Sequence, residues 1–259
     1  MAIELTNENY FSPEAMRDYW SCSQFKSFIK CEAEAMASMN GLLPERKTKA
    51  LMIGSYVDAY FSGELDEFTA NHPEIFNSRT GELKADFKQA EALILRAERD
   101  ETFMEFMGGK PQEIMIGEIF GESFKIKMDS YFPGDKIVDL KCMKDMSPVW
   151  KDGERKTFID AWGYDLQGFI YQQVVKFVTG KELPFYLAVI TKEEHPDIAI
   201  IHIPQWKLNS AGEIIKHYLP LFSDVKSGNV EPRRCGKCGF CRDTKKIDRV
   251  IEYEDLLEE

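Results

Sequence analysis

The segment MDSYFPGDKIVDLK, residues 128–141, carries the densest chemistry in the chain. Asp139 and Lys141 stand two residues apart in a run with the alternation of a strand, so their side chains leave the same face. Asp129 lies in the preceding run, across the Pro133-Gly134-Asp135 turn, and pairing of the two runs brings it towards Asp139 and Lys141. Two carboxylates supply the hard oxygen donors that Mg2+ or Mn2+ takes. A lysine beside them positions or helps deprotonate a water and offsets the charge of a phosphate. A D-x-K tripeptide by itself is most often solvated surface charge. Here Val138 and Leu140 flank Asp139 as the apolar opposite face of a buried strand, which fixes the charged pair on one side of a sheet.

A second concentration is Cys235-Gly-Lys-Cys238-Gly-Phe-Cys241, three thiols within reach of one centre. This spacing occurs in iron–sulfur ligation, whereas zinc sites more often pair two C-x2-C knuckles. A [4Fe–4S] cluster, a structural Zn2+ and an empty reduced cluster are all open on spacing alone. A closed site needs a fourth ligand, and Cys31 is the candidate. Cys22 and Cys142 read as packing residues. The four histidines, at 72, 195, 202 and 217, show no ligand spacing.

The elements that must position these groups follow from capping and periodicity. Ser12-Pro13-Glu14 predicts a helix start, and Ser21-x-x-Gln24 a second. The latter leads a helix with Phe25, Phe28, Ile29, Ala33 and Met36 on one side, ending at Asn40-Gly41. Residues 49–61 predict a helix that holds Gly54 and Ser55 in its interior. An interior glycine costs roughly 1 kcal/mol against alanine, so close packing or function is expected there. Residues 85–107 form a further amphipathic helix; 112–120, 123–132 and 136–140 read as consecutive antiparallel strands of a meander. A helix over 158–178 puts Gln167 and Tyr171 on one face, extended by Asp160 and Tyr164, with Phe169, Ile170, Val174 and Phe177 packed inward. Strands at 184–191 and 198–203 and a helix at 210–222 complete an α/β (α+β) pattern with one central mixed sheet. The chain, 1–259, is read as a single domain whose residues 226–249 form a Cys-rich basic tail.

Net charge is −11, yet residues 226–249 carry eight Lys or Arg against three acids. A second basic run is Arg46, Lys47 and Lys49. Local basic surface can therefore meet nucleic acid on an acidic protein. No apolar stretch is long enough to span a bilayer and no signal peptide opens the chain, so the expectation is a cytoplasmic protein without membrane contact.

The D…turn…D-x-K core resembles that of the PD-(D/E)xK nucleases. The ordered set Gly54-Ser55-Tyr56-Val57-Asp58, the D-x-K strand and Gln167-Gly-Phe-Ile-Tyr171 resembles their exonuclease branch: RecE, lambda exonuclease, and the RecB and AddB nuclease domains. In that branch a Glu also precedes the first catalytic Asp, and several glutamates here could fill its place. The resemblance runs from roughly residue 21 to 241 and implies a restriction-endonuclease-like fold. It implies an Mg2+-dependent exodeoxyribonuclease acting at DNA ends in phage or prophage recombination, with a single-strand annealing protein as partner and a possible homo-oligomer. It makes Asp129, Asp139 and Lys141 catalytic and turns Gln167 and Tyr171 towards the site and the DNA backbone. Asp58 stands where many relatives place a metal-binding His, and as an oxygen donor it becomes a third metal ligand beside Asp129 and Asp139. Cys31 resembles the lone early cysteine that AddB-type nucleases join to a C-terminal triplet around a [4Fe–4S] cluster. The alternative implied by Asp58 is a catalytically weakened nuclease fold that binds DNA as a recombination accessory protein.

Overall fold

The computed structural model describes residues 3–44, 48–247 and 250–254. Helix α1 (Pro13–Asp18) begins as its sequence predicts, with Ser12 Oγ accepting from Ala15 N at 3.1 Å. Ser21 caps α2 (Cys22–Lys30) the same way, through Gln24 N at 3.2 Å. The single helix expected as far as Asn40 is broken at Cys31. Its extended backbone, φ −167° and ψ 110°, closes α2 and opens α3 (Glu32–Met39). The thiol replaces a capping hydroxyl, accepting from Glu34 N at 3.5 Å. Restarting the helix there also resets its face, and Ile29 lies exposed instead of in the core.

Helices α4 (Lys49–Ser62), α5 (Leu65–Asn71), α6 (Ala85–Glu98) and α7 (Glu101–Met107) come before the first strand. The expected 85–107 helix is divided by Asp100, whose carboxylate caps α7 through Phe103 N at 2.9 Å. Gly54 has open space where a Cβ would sit, so close packing does not account for it.

Strands β1 (Glu113–Ile119) and β2 (Glu122–Met128) form an antiparallel hairpin. The run expected as one strand over 123–132 breaks at Asp129, and β3 (Ser130–Phe132) pairs instead with β4 (Lys136–Met143). A short hairpin unforeseen in the sequence, β5 (Val149–Lys151) with β6 (Glu154–Lys156), follows. Strand β7 (Phe185–Thr191) runs parallel to β4, and β8 (Ile198–Ile203) antiparallel to β7, giving a mixed sheet of order β3-β4-β7-β8. Gly163, at φ 63°, splits the expected 158–178 helix into α8 (Phe158–Trp162) and α9 (Tyr164–Thr179). Helix α10 (Gln205–Lys226) is longer than expected, and α11 (Gly239–Asp243) lies in the tail. No helix among the described residues is long and apolar enough to cross a membrane.

The sheet divides two apolar cores. Val138, Leu140, Ala188 and Ile190 pack with Ile53, Val57, Leu93 and Phe103 of the early helices. The other side meets α2, α9 and α10 through Phe25, Ile137, Ile170, Leu187, Leu208 and Phe222. Helix α9 sits close because of Gly168, where a Cβ would come within 2.7 Å of Phe185 Cδ1 and 2.8 Å of Leu208 Cδ2. Phe169, Ile170 and Val174 are buried as expected, but Phe177 is 60% exposed near the helix end. This mixed sheet flanked by helices, with a cysteine cluster near the C-terminus, is the α+β architecture expected from the sequence.

Candidate active site

Register and local breaks bring the carboxylates together. Ser130 pairs with Val138 across β3 and β4, so Asp129, one residue earlier, stands opposite Asp139. Asp129 lies in the break between β2 and β3, and its Oδ2 accepts from Leu140 N at 2.7 Å. Asp139 is 1% exposed. Its Oδ1 accepts from Gln167 Nε2 at 2.6 Å, and its Oδ2 pairs with the Lys141 ammonium. Asp58, from α4, accepts from Gln112 Nε2 through both oxygens, at 3.2 and 3.4 Å. Asp58, Asp129, Asp139, Lys141, Gln167 and Tyr171 all line one cavity of about 620 Å3.

The carboxylates interact strongly. Burial pushes Asp129 well above the usual carboxylate range, and Asp139 and then Asp58 push it further. Burial also raises Asp58, with Asp139 adding to it against the opposing pull of Lys127 and Lys141. Burial works to discharge Lys141, but Asp139 and Asp129 outweigh it and hold the ammonium above its ordinary range. Lys141 is therefore a firmly charged group in this arrangement, not a ready base. Mutually repelling oxygen donors whose charge Lys141 and Lys127 only partly offset are a donor set a divalent cation suits. In the structure their oxygens are turned to Leu140 N, Gln112, Gln167 and Lys141.

This balance has a consequence for stability. A carboxyl raised in the folded state stabilises the fold fully below its unfolded value, near 3.8 for Asp129, and that contribution is lost as pH climbs through the folded value. In chelator, this Asp129 contribution is thus expected to decline from about pH 4 upward. Asp129→Asn keeps an acceptor for Leu140 N and removes the repulsion, so its melting temperature in EDTA at neutral pH should exceed the wild type's. Equal or lower melting of D129N under those conditions would contradict the repulsive site.

Tyr171 lines the cavity, but its hydroxyl donates to the Lys127 carbonyl at 3.0 Å. It ties α9 to the strand that delivers Asp129. Tyr164 also faces the cavity, with Lys141 Nζ 5.2 Å from its ring centroid. Asp160, expected on the same face, instead pairs with Lys207 of α10. Sequence reasoning missed Gln112, Lys125, Lys127 and Phe11, all in the cavity wall. The signal for two of them was present, since Lys125, Lys127 and Asp129 alternate along one face of β2 and its extension. Burial pushes Lys125 down to about 8, and its ammonium donates to the Tyr10 carbonyl. Phe11, 70% exposed, sits at the rim with Lys127 Nζ 5.4 Å from its ring.

The cysteines converge as expected. Cys31 Sγ lies 3.6 Å from Cys241 Sγ and 3.8 Å from Cys238 Sγ, and Cys235 Sγ 4.0 Å from Cys241 Sγ. Among the described residues these four are the one set of potential ligands whose atoms all lie within 4.8 Å of one another. The Cys238 and Lys237 backbone N–H groups push Cys235 down to about 6, a thiolate at neutral pH. The basic tail is partly used in fastening the cluster: Arg233 Nε meets buried Glu32 at 2.8 Å, and Arg234 donates to the Cys241 carbonyl at 3.0 Å. Of the second basic run, Arg46 and Lys47 lie outside the described residues, as do Asp248 and Arg249 of the tail, while Lys49 pairs with Asp86 at 3.0 Å. Cys22 is buried and Cys142 packs against the apolar core, as read from the sequence.

Residues 21–244 match the profile of a family described as a PDDEXK-like domain of unknown function (DUF3799). Among solved structures, the chain is similar to a protein from Eubacterium rectale described as "Putative exonuclease", with 46% identity over 98% of each chain and a TM-score of 0.93. No curated protein matches the chain.

Proposed function

We propose, from the premise that the chain belongs to the PDDEXK-like family, that it is a divalent-cation-dependent exodeoxyribonuclease acting at DNA ends. The family and its solved relative make the chain a nuclease by fold, with nucleic acid as substrate. The observation that carries the finer reading is the Asp129–Asp139–Lys141 constellation, in register across β3 and β4 and walled by Gln167.

Asp58, Asp129 and Asp139 would hold Mg2+ or Mn2+. When bound, such an ion polarises the phosphoryl oxygens and lowers the pKa of a coordinated water. Lys141, charged and fixed by Asp139, orients the attacking water and balances the phosphate. Gln167 holds Asp139 in one rotamer, and Tyr171 keeps the Asp129 strand in place. The water oxygen forms a bond to phosphorus and one ester P–O bond breaks. The water proton passes to solvent, and the leaving oxygen takes a proton to become an alcohol. Lys127 and Phe11 at the rim suit a strand end, the cation facing the backbone and the ring a terminal base.

For the cysteine centre, a tetrahedron with metal–sulfur bonds of about 2.3 Å has edges of about 3.8 Å. The Sγ separations of 3.6, 3.8 and 4.0 Å lie near that edge and favour a single Zn2+ over the [4Fe–4S] cluster that the family resemblance implies, because a cubane interposes four irons between its thiolates. A role in phage or prophage recombination, beside a single-strand annealing protein and as a homo-oligomer, belongs to the same reading by family resemblance.

The test is degradation of end-labelled linear duplex against a covalently closed circle of the same sequence, in Mg2+ and in EDTA. Loss of the linear form only, and only with Mg2+, is expected. Cutting of the closed circle at the same rate would replace the exonuclease with an endonuclease. Binding of linear DNA without hydrolysis in Mg2+ or Mn2+ would leave the accessory protein.

A further inference from the structure

Gln112 immediately precedes β1 and holds φ 52°, in the left-handed region that a residue with a Cβ rarely adopts. Such strain persists where the surroundings fix it, and it clusters at functional sites. The side chain is 7% exposed and lies in the wall of the active-site cavity. Glu113 pairs with Met128 across β1 and β2, so Gln112 stands opposite Asp129. Its Nε2 faces both oxygens of Asp58. A carboxylate accepts only, so the amide nitrogen must point that way. This turns Oε1 away from Asp58, where it is buried and accepts no hydrogen bond from any described residue. An amide serving structure alone would be expected to satisfy both ends.

We propose that Gln112 is a protein ligand of the cation held by Asp58, Asp129 and Asp139, its Oε1 facing the ion while its Nε2 orients the Asp58 carboxylate. The inference rests on the metal-dependent reading above. It also explains the residue type. Lys141 and Lys127 already offset part of the charge of the three carboxylates, so the site needs no further acid. A neutral amide adds an oxygen without adding charge.

The test is Mn2+ binding to the full chain without DNA, followed by electron paramagnetic resonance, with folding checked by melting in EDTA. Gln112→Leu is expected to weaken Mn2+ binding about 10-fold or more, the scale of losing a supporting group at a metal site. The same substitution in an Asp58→Asn background should weaken it further, because Oε1 acts on the ion directly. If Q112L costs nothing beyond D58N, Gln112 acts only through Asp58 and ligation is overturned. Wild-type affinity in Q112L, with binding lost in D129N, overturns it too. Should Q112L fail to fold, Gln112→Glu decides: its added charge should tighten Tb3+ binding, read by sensitised luminescence, and unchanged Tb3+ affinity counts against ligation. Wild-type protein that binds neither ion would instead sink the metal-dependent reading itself, an outcome distinct from the failure of Gln112 alone.

Discussion

Asparagine at position 139 is expected to abolish phosphodiester hydrolysis while the protein still folds and binds DNA. Asp139 is the group on which the site converges: it faces Asp129, accepts from Gln167 and neutralises Lys141. Losing one carboxylate ligand removes charge stabilisation worth several kcal/mol, so the rate should fall about 10^3-fold or more. The choice of substitution matters because Asp139 is 1% exposed and holds a mostly buried ammonium. Asp139→Ala would leave Lys141 without its closest partner, and breaking a buried pair from one side costs about 3–5 kcal/mol. Alanine would therefore confuse a lost catalyst with a damaged fold. Asparagine can still accept from Lys141 if Gln167 turns its amide to match. The measurement is release of acid-soluble nucleotides from linear duplex in Mg2+, with circular dichroism and DNA binding in Ca2+ as controls. A D139N protein that cuts at the wild-type rate would remove Asp139 from the mechanism.

Serine at position 31 is expected to cost the protein its bound metal and a large part of its thermal stability. The Cys31 thiol has two jobs, capping α3 through Glu34 N and closing the cysteine cluster. Serine is itself a favoured N-cap, so the helix start survives and the loss reports the fourth thiolate. A structural zinc site contributes apparent binding energies of roughly 10–16 kcal/mol, which are folding energy where the site forms only in the folded chain. Elemental analysis should find one zinc per wild-type chain and substoichiometric zinc in C31S, with melting lowered to the level of chelator-treated protein. Full metal content and unchanged melting in C31S would remove Cys31 from the centre. Iron and sulfide in equal amounts after anaerobic purification would restore the [4Fe–4S] assignment in place of zinc.

What the sequence made legible follows from periodicity. Asp129, Asp139 and Lys141 were readable because a strand repeats every two residues and a Pro-Gly turn sets the pairing. The tail cysteines were readable because their ligand spacing is local. Three helix divisions were not legible, at Cys31, Asp100 and Gly163, since an apolar stripe runs on through a short interruption. The need for a fourth thiolate marks Cys31 as a ligand, while its role as the cap of α3 explains why the helix stops there. Asp58 was found only through resemblance, because a single carboxylate on a helix carries no pattern. Gln112 was invisible for a stronger reason. Its significance lies in a positive φ and an unanswered oxygen, and neither leaves a mark in the order of residues. Tyr171 shows the converse: its spacing from Gln167 was right, while its hydroxyl went to a main-chain carbonyl.

The wall of the cavity formed by α2 has a bearing on when the enzyme comes into being. Ser21, Cys22, Gln24 and Lys26 line the site from that side. The groups that hold α2 in place arrive last from the ribosome: Phe222 against Phe25 and Phe28, Lys226 on the Tyr19 carbonyl, and Cys241 against Cys31. The sheet with Asp129, Asp139 and Lys141 can form earlier, because β8 ends at Ile203. The strands that carry Asp129, Asp139 and Lys141 thus lie wholly before the segment that seats the α2 wall of the cavity. A chain cut before Phe222 is therefore expected to keep the β3-β4-β7-β8 sheet and lose the α2 wall of the cavity, read as retained circular dichroism with a lowered melting temperature.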